Sequence, residues 1–307
     1  MNHKLRFIFI FLLVFASTAQ AEASCSDNDV QLQVLGSGGP ELDDQRVSSG
    51  YLIWIKGQAR VLVDTGAGTS VNFGQTGAKF EDLQAILFTH LHVDHSADLP
   101  AFIKGSFFTA RDNDLVIYGP AGNSLMPSTS EFVQNLLGNQ GAFRYLSDYV
   151  NTAEENDYHL QTVDVPLEPR KIVTYQINDG LSLGAIPVHH GPISAVAWRV
   201  NAAGCSVTFS GDMNNNYQTL PILAEDSDML VVSNAVPESA EGVAAQLHMR
   251  PSQIGKIAQQ SQVKQLILSH RMKRTLGKER QTKKIIEQYY SGPIFFANDL
   301  ESFPLQR

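Results

Sequence analysis

The sequence predicts an α/β protein made of two mixed sheets flanked by helices. Three observations carry this expectation. Short apolar or alternating stretches bounded by Gly, Pro and Asp recur along the whole chain, several are separated by helix-like segments, and the strands are too numerous for one sandwich core. Val30, Leu32 and Val34 alternate with Gln31 and Gln33, as a half-buried strand would, and end at the turn Gly36-Ser37-Gly38-Gly39-Pro40. Tyr51 to Ile55 and Arg60 to Val63 read as a hairpin about Lys56-Gly57-Gln58, and Leu83 to Phe88 as the next strand. Further strands are expected at Leu115 to Tyr118, Ile172 to Ile177, Leu181 to Val188, Ala195 to Val200, Ser206 to Phe209, Met229 to Val232 and Leu266 to Leu268. Helices are expected at Asp98 to Phe107, Thr129 to Leu137, Ser252 to Gln260 and Lys278 to Tyr290, with Pro251 and Ser252 placed as a helix start requires. Asn139 to Asp164 is polar and weakly periodic and reads as an insertion or long loop over one face.

No repeat, low-complexity linker or domain boundary interrupts the 307 residues, so residues 22–307 are expected to form one domain. Ahead of it, Lys4 and Arg6 precede a ten-residue apolar run from Phe7 to Ala16 and then Ala19-Gln20-Ala21, the pattern of a cleaved secretory signal peptide over residues 1–21. A membrane anchor would need about twenty apolar residues. The mature chain is therefore expected to be soluble and periplasmic or secreted, with no membrane contact after cleavage. A homodimer is compatible with this reading.

Removing a leader with two positive charges and no negative ones moves the formal net charge from −8 to −10. Nucleic-acid binding draws most of its affinity from phosphate neutralisation by Lys and Arg. No nucleic-acid partner is expected on this ground, and a small anionic ester is expected instead. Of the two cysteines, Cys205 beside Val207 and Phe209 reads as a small buried side chain. An oxidising compartment would permit a disulfide to Cys25, but sequence does not say whether the two are close.

The chemistry is concentrated in His90-Leu91-His92-Val93-Asp94-His95, four ligand-type residues in six positions directly after a strand. Imidazoles and carboxylates are the usual ligands of hydrolytic zinc, and a catalytic metal keeps a position open for water. More such residues recur where apolar strands give way to turns: His190 in Val188-His189-His190-Gly191-Pro192, Asp212 in Phe209-Ser210-Gly211-Asp212, and His270 after Leu266-Ile267-Leu268-Ser269. Asp64 in Val63-Asp64-Thr65-Gly66 suits an orienting partner for a histidine ligand, the competing reading being a turn-forming aspartate.

These segments, in this order, resemble the five motifs of the metallo-β-lactamase superfamily over nearly the whole mature chain. The resemblance implies a four-layer αββα sandwich. It also implies two divalent metal ions, most simply Zn2+ with Mn2+ or Fe2+ as alternatives. By likeness His90, His92 and His190 hold the first ion, Asp94, His95 and His270 the second, and Asp212 bridges them. His189 competes with His190 for the third position, but the pattern of His, Gly-Pro and an Ala-rich strand ending in Trp198-Arg199 favours His190. Asp94 and His248 are the catalytic candidates.

Among the branches, Leu35-Gly36-Ser37-Gly38-Gly39-Pro40 and His248, ahead of the helix at Ser252, resemble ribonuclease Z and its arylsulfatase-like relatives, and antibiotic hydrolysis is not expected. The likeness implies that His248 stabilises charge or protonates the leaving group; the competing reading is a surface histidine capping a helix. Leu247-His248-Met249-Arg250-Pro251 departs from the His-Ser-Thr usual there. The Asn139 to Asp164 stretch carries only Arg144 against Asp148, Glu154, Glu155, Asp157 and Asp164, unlike a basic tRNA-binding arm. The expectation is an exported dinuclear-metal hydrolase that uses a metal-bridging hydroxide to cleave a phosphodiester or sulfate ester. A lactonase or other carboxylic-ester hydrolase and a non-catalytic zinc-binding module are the rivals.

Overall fold

The computed structural model describes residue 25, residues 29–153 and residues 155–305. The expected leader, residues 1–21, lies outside the described residues. In chain order the elements are β1 (Val30–Gly36), β2 (Gly50–Ile55), β3 (Gln58–Val63), α1 (Thr69–Thr76), β4 (Ala85–Leu87), α2 (Val93–Ser96), α3 (Leu99–Ser106), β5 (Leu115–Pro120), α4 (Thr129–Leu137), β6 (Leu160–Val165), β7 (Val173–Asn178) and β8 (Leu181–Pro187). They continue with β9 (Val196–Ala202), β10 (Cys205–Phe209), α5 (Leu220–Leu223), β11 (Met229–Ser233), α6 (Gly242–Leu247), α7 (Pro251–Gln260), β12 (Gln265–Ser269), α8 (Glu279–Ile286), β13 (Ile294–Phe296) and β14 (Ser302–Pro304). Two mixed seven-stranded sheets result, ordered β14-β1-β2-β3-β4-β5-β6 and β13-β12-β11-β10-β9-β8-β7.

Strand alternation divides the apolar residues between layers. Ile53, Val63 and Leu87 point from the first sheet into a shared core with Leu183, Trp198 and Ile267 of the second. Their chain neighbours Leu52, Leu62 and Ile86 face outward onto Phe73 of α1, Phe102 of α3 and Val133 of α4. On the other side Leu266 and Leu268 meet Leu223 of α5, Ile257 of α7 and Ile286 of α8. Helix, sheet, sheet, helix is the order of layers, as expected. Because both faces of each sheet are covered, central strands such as β11 and β12 are buried along their whole length and read as unbroken apolar runs.

The stretch Asn139 to Asp164 is not a loop laid over one face. It contains a 3-10 turn, Arg144–Tyr149, and the start of β6, which pairs in parallel with β5 at the edge of the first sheet. Leu146, Tyr149 and Tyr158 are buried, and Tyr158 Oη is hydrogen-bonded to Ser106 Oγ of α3 at 2.6 Å. Only a few residues of this polar segment turn inward, too sparsely to produce a period. The three-residue strands β13 and β14 also went unrecognised, being too short to alternate.

Cys25 and Cys205 are joined by a disulfide across 180 positions of sequence, with Cα atoms 4.4 Å apart. Cys205 is buried between the sheets as its neighbours suggest, and the bond pins the segment before β1 to β10. Among the described residues no helix is long and apolar enough to cross a membrane.

Candidate metal centre

The site lies where the chain leaves β3, β4, β8, β10 and β12. Past β4 the backbone is tied down before the first histidine: Trp198 Nε1 donates to Phe88 O at 2.8 Å, and Val196 N donates to Thr89 O at 2.8 Å. Four residues later α2 begins, and its single turn places Asp94 and His95 on the same side as His90. Asp212 follows Gly211, whose φ of 57° and close approach to the Thr89 side chain leave no room for a Cβ. His270 follows β12 with φ 49°, a left-handed conformation unusual for a non-glycine residue.

Three overlapping groups of side chains offer ligand atoms within 4.8 Å of one another: His90, His92 and His190; His90, His95 and Asp212; and Asp94, His95 and His270. Asp212 shares the middle group with His90 of the first and His95 of the third, and its Oδ2 is 3.2 Å from His270 Nε2 and 3.8 Å from His95 Nε2. Asp94 Oδ2 is 3.1 Å from His270 Nε2 and 3.6 Å from His95 Nε2. The structure thus brings together all seven sequence-predicted ligands. His189 is turned aside, with Nδ1 3.1 Å from Asn214 Oδ1 and its ring against Tyr217.

The hydrogen bonds behind the rings determine which nitrogen faces inward. Leu247 O can only accept, so His190 Nδ1 donates to it at 3.0 Å and Nε2 keeps its lone pair. His95 Nδ1 donates to the Asp64 carboxylate at 2.7 Å, which turns its Nε2 inward. Thr89 Oγ1 gives its proton to Asp64 Oδ2 at 2.8 Å and so receives one from His90 Nδ1 at 3.1 Å. Asp64, itself at φ 57°, also accepts from Thr89 N at 2.8 Å, so one buried carboxylate orients two histidines. Thr89 and the Leu247 carbonyl were missed in the sequence, where a threonine and a main-chain oxygen carry no ligand signature.

The inward atoms fit a divalent metal. Nε2 of His90, His95 and His190 and Oδ1 of Asp212 are buried without hydrogen-bond partners. Each such group costs about 1–3 kcal/mol if left unsatisfied, and four of them within overlapping ligand groups call for cations. Charge is set accordingly. Burial pushes the His90 ring well below its ordinary pKa, and burial likewise lowers His92 and His190, so these rings are neutral ligands at pH 7. Burial would raise Asp212 and Asp94, but the surrounding imidazoles outweigh it, holding Asp212 well below the carboxylate range and Asp94 at about 2. Asp64 and Asp94 overcome burial and raise His95 to about 10, so a metal ion would take Nε2 by displacing a proton.

His248 faces the same centre. It is 7% exposed, its Nδ1 is 3.7 Å from Asp212 Oδ2, and its ring lies 5.5 Å from that of His190 and 5.9 Å from that of His270. A solvent-facing histidine is thus not what the structure has; Arg250, two residues on, occupies the start of α7. Gly39 of the early glycine turn lies so close to His270 that a Cβ there would be 2.8 Å from Cε1.

A buried His/Asp cluster at the strand ends of an αββα sandwich is a candidate metal centre, and residues 59–271 match the β-lactamase superfamily domain. The chain belongs to that superfamily and is a metal-dependent hydrolase acting on ester bonds. It is 27% identical over 285 residues to ribonuclease Z of Mycobacterium bovis (strain BCG / Pasteur 1173P2), covering 88% of this chain and 96% of that protein. Among solved structures, the metallo-β-lactamase fold protein YhfI from Bacillus subtilis superposes with a TM-score of 0.69 at 18% identity, covering 90% and 98% of the two chains. Human tRNase Z, short form, superposes with a TM-score of 0.68 at 18% identity, covering 90% and 100%.

Ribonuclease Z of Mycobacterium bovis, alike over 88% of this chain, and human tRNase Z overturn the expectation that nucleic acid is not a partner. Net charge misled because it averages over the surface. A phosphodiester can be held locally by metal ions whatever the overall sign.

Proposed function

We propose that this protein is an exported dinuclear-metal phosphodiesterase. His90, His92 and His190 would hold one ion, Asp94, His95 and His270 the other, with Asp212 shared. The single observation that carries the reading is His248, a buried imidazole outside the ligand groups yet 3.7 Å from the shared carboxylate. That is where a group acting on the substrate rather than on the ions would stand, and the likeness to ribonuclease Z favours phosphodiesters as the substrate class.

Bound metal ions supply an activated water and charge neutralisation at the phosphoryl oxygens. The chain's own groups do the rest. Asp64 fixes His95 directly and His90 through Thr89, Leu247 O fixes His190, and the Asp94 and Asp212 carboxylates keep two cations from repelling one another. Burial pushes the His248 imidazole down to about 4, so at pH 7 it is neutral and presents an N–H to the substrate that stabilises developing charge by hydrogen bonding. Export is supported by the Cys25–Cys205 bond, since cytosolic thiols are kept reduced.

The test uses the mature chain loaded with zinc or manganese and offered bis(p-nitrophenyl) phosphate, a tRNA transcript and p-nitrophenyl sulfate. Turnover of phosphodiesters is expected, with kcat lowered about 10^2 to 10^4-fold in His248→Ala at unchanged metal content. Turnover of the sulfate alone, or activity that survives chelation, would refute the reading. Export is tested by N-terminal sequencing of the periplasmic protein, with a start at Glu22 expected.

A further inference from the structure

His90, His95 and His190 are each aimed by a hydrogen bond that Nδ1 donates, to Thr89 Oγ1, Asp64 Oδ2 and Leu247 O, but His270 has no such support. Its Nδ1 is buried without a hydrogen-bond partner among the described residues, while its Nε2 lies 3.1 Å from Asp94 Oδ2 and 3.2 Å from Asp212 Oδ2. The aim of this ring is therefore set by its backbone and by packing. That backbone is left-handed, with φ 49°, a conformation that persists for a residue with a Cβ only where the surroundings enforce it.

Segments distant in sequence do the enforcing. Arg271 N, one residue on, donates to Ser37 O of the early glycine turn at 2.7 Å. The Arg271 guanidinium is buried, with Nη1 3.3 Å from both Ala297 O and Asn298 Oδ1 beyond β13 and Nη2 paired with Glu279 at the start of α8. The His270 ring itself packs against Gly39 of the same turn.

Asp299 holds the turn. Its Oδ1 accepts from Ser37 N at 2.9 Å and from Ser37 Oγ at 2.6 Å, and its Oδ2 accepts from Val47 N at 2.8 Å. Its charge matters as well as its lone pairs. Arg46 Nη1 donates to Ser37 Oγ at 2.6 Å, and Arg46 and Arg271 share two acceptors, Ala297 O and Asn298 Oδ1. Two guanidinium cations so placed repel one another. Glu279 offsets one of them, and Asp299, across the Ser37 hydroxyl, offsets the other.

We propose that Asp299 is a positioning residue of the metal centre: acting through Ser37 and the glycine turn, it holds His270 in the conformation that presents Nε2 to the second ion. The assignment rests on the two-metal reading. It confines the effect of Asp299 to one ion, because none of these contacts reaches His90, His92 or His190.

Cobalt(II) titration of the metal-free protein, followed by visible absorption, reads the two ions as separate steps. In Asp299→Asn the first step is expected at wild-type affinity and the second weakened about tenfold, the low end of what losing a supporting carboxylate does to a metal site. Ser37→Ala removes only the hydroxyl shared by Asp299 and Arg46, and it is expected to weaken the same step by a smaller factor, which decides the matter if Asp299→Asn folds poorly. Cys25→Ser is the control: it destabilises the fold away from the site, and both of its steps are expected to match the wild type. A second step unchanged in Asp299→Asn and Ser37→Ala, both steps weakened alike, or the same loss in Cys25→Ser would overturn the assignment. A single step in the wild-type protein would instead refute the two-metal reading, and the positioning role with it.

Discussion

Asp64 Oδ2 lies 2.7 Å from Nδ1 of His95, and across that ring Nε2 is buried and unpartnered, 3.6 Å from Asp94 and 3.8 Å from Asp212. One carboxylate thus aims a histidine from behind at two others. Replacing Asp64 with Asn keeps the size and tolerates φ 57°, so the variant isolates the charge and the acceptor pair. Zinc affinity should fall about 10 to 100-fold, read by competition with a chromogenic chelator, while the unfolding midpoint of the metal-free protein changes little.

Gly39→Ala tests the close approach of the glycine turn to His270. The added methyl meets Cε1 at 2.8 Å, and the ring, already packed 5.2 Å from His95, has little room to yield. Weaker binding of one metal equivalent and lower turnover are expected with the fold retained, checked by metal titration and circular dichroism.

Chelation should destabilise the whole domain, because the buried nitrogens and carboxylates then converge on no cation. A ligand at a hundred times its Kd contributes about 2.7 kcal/mol, so the melting temperature should drop several degrees with a chelator and recover on adding zinc. A midpoint indifferent to metal would remove the electrostatic argument for the site.

The disulfide closes a span of 180 residues and anchors the segment before β1. Cys25→Ser should cost about 2–5 kcal/mol in urea unfolding, and reduction of the wild-type protein should reproduce that loss. Because Cys25 is remote from the ligand groups, metal stoichiometry of the folded variant should not change.

The sandwich and its ligand groups were legible because they depend on local pattern. Alternation placed β1 to β3, unbroken apolar runs placed β11 and β12, and each ligand sits at the turn that ends such a run. The edge strand β6 was not legible, since its inward residues are separated by solvent-facing polar ones at no regular spacing. Nor was the pairing of Cys25 with Cys205, which depends on how the segment before β1 meets β10. The link from Asp64 through Thr89 to His90 escaped for a related reason: proton donation by a threonine is a matter of geometry, not composition. Net charge, a sum over the chain, carried no information about the few ångströms around Asp212.

The central claim is a two-metal site, and metal analysis of the purified chain tests it most directly. After zinc loading and desalting, the wild-type protein should retain close to two equivalents and Asp94→Ala close to one, with Asp212→Ala weakening both. One equivalent in the wild-type protein, or two in Asp94→Ala, would contradict the account.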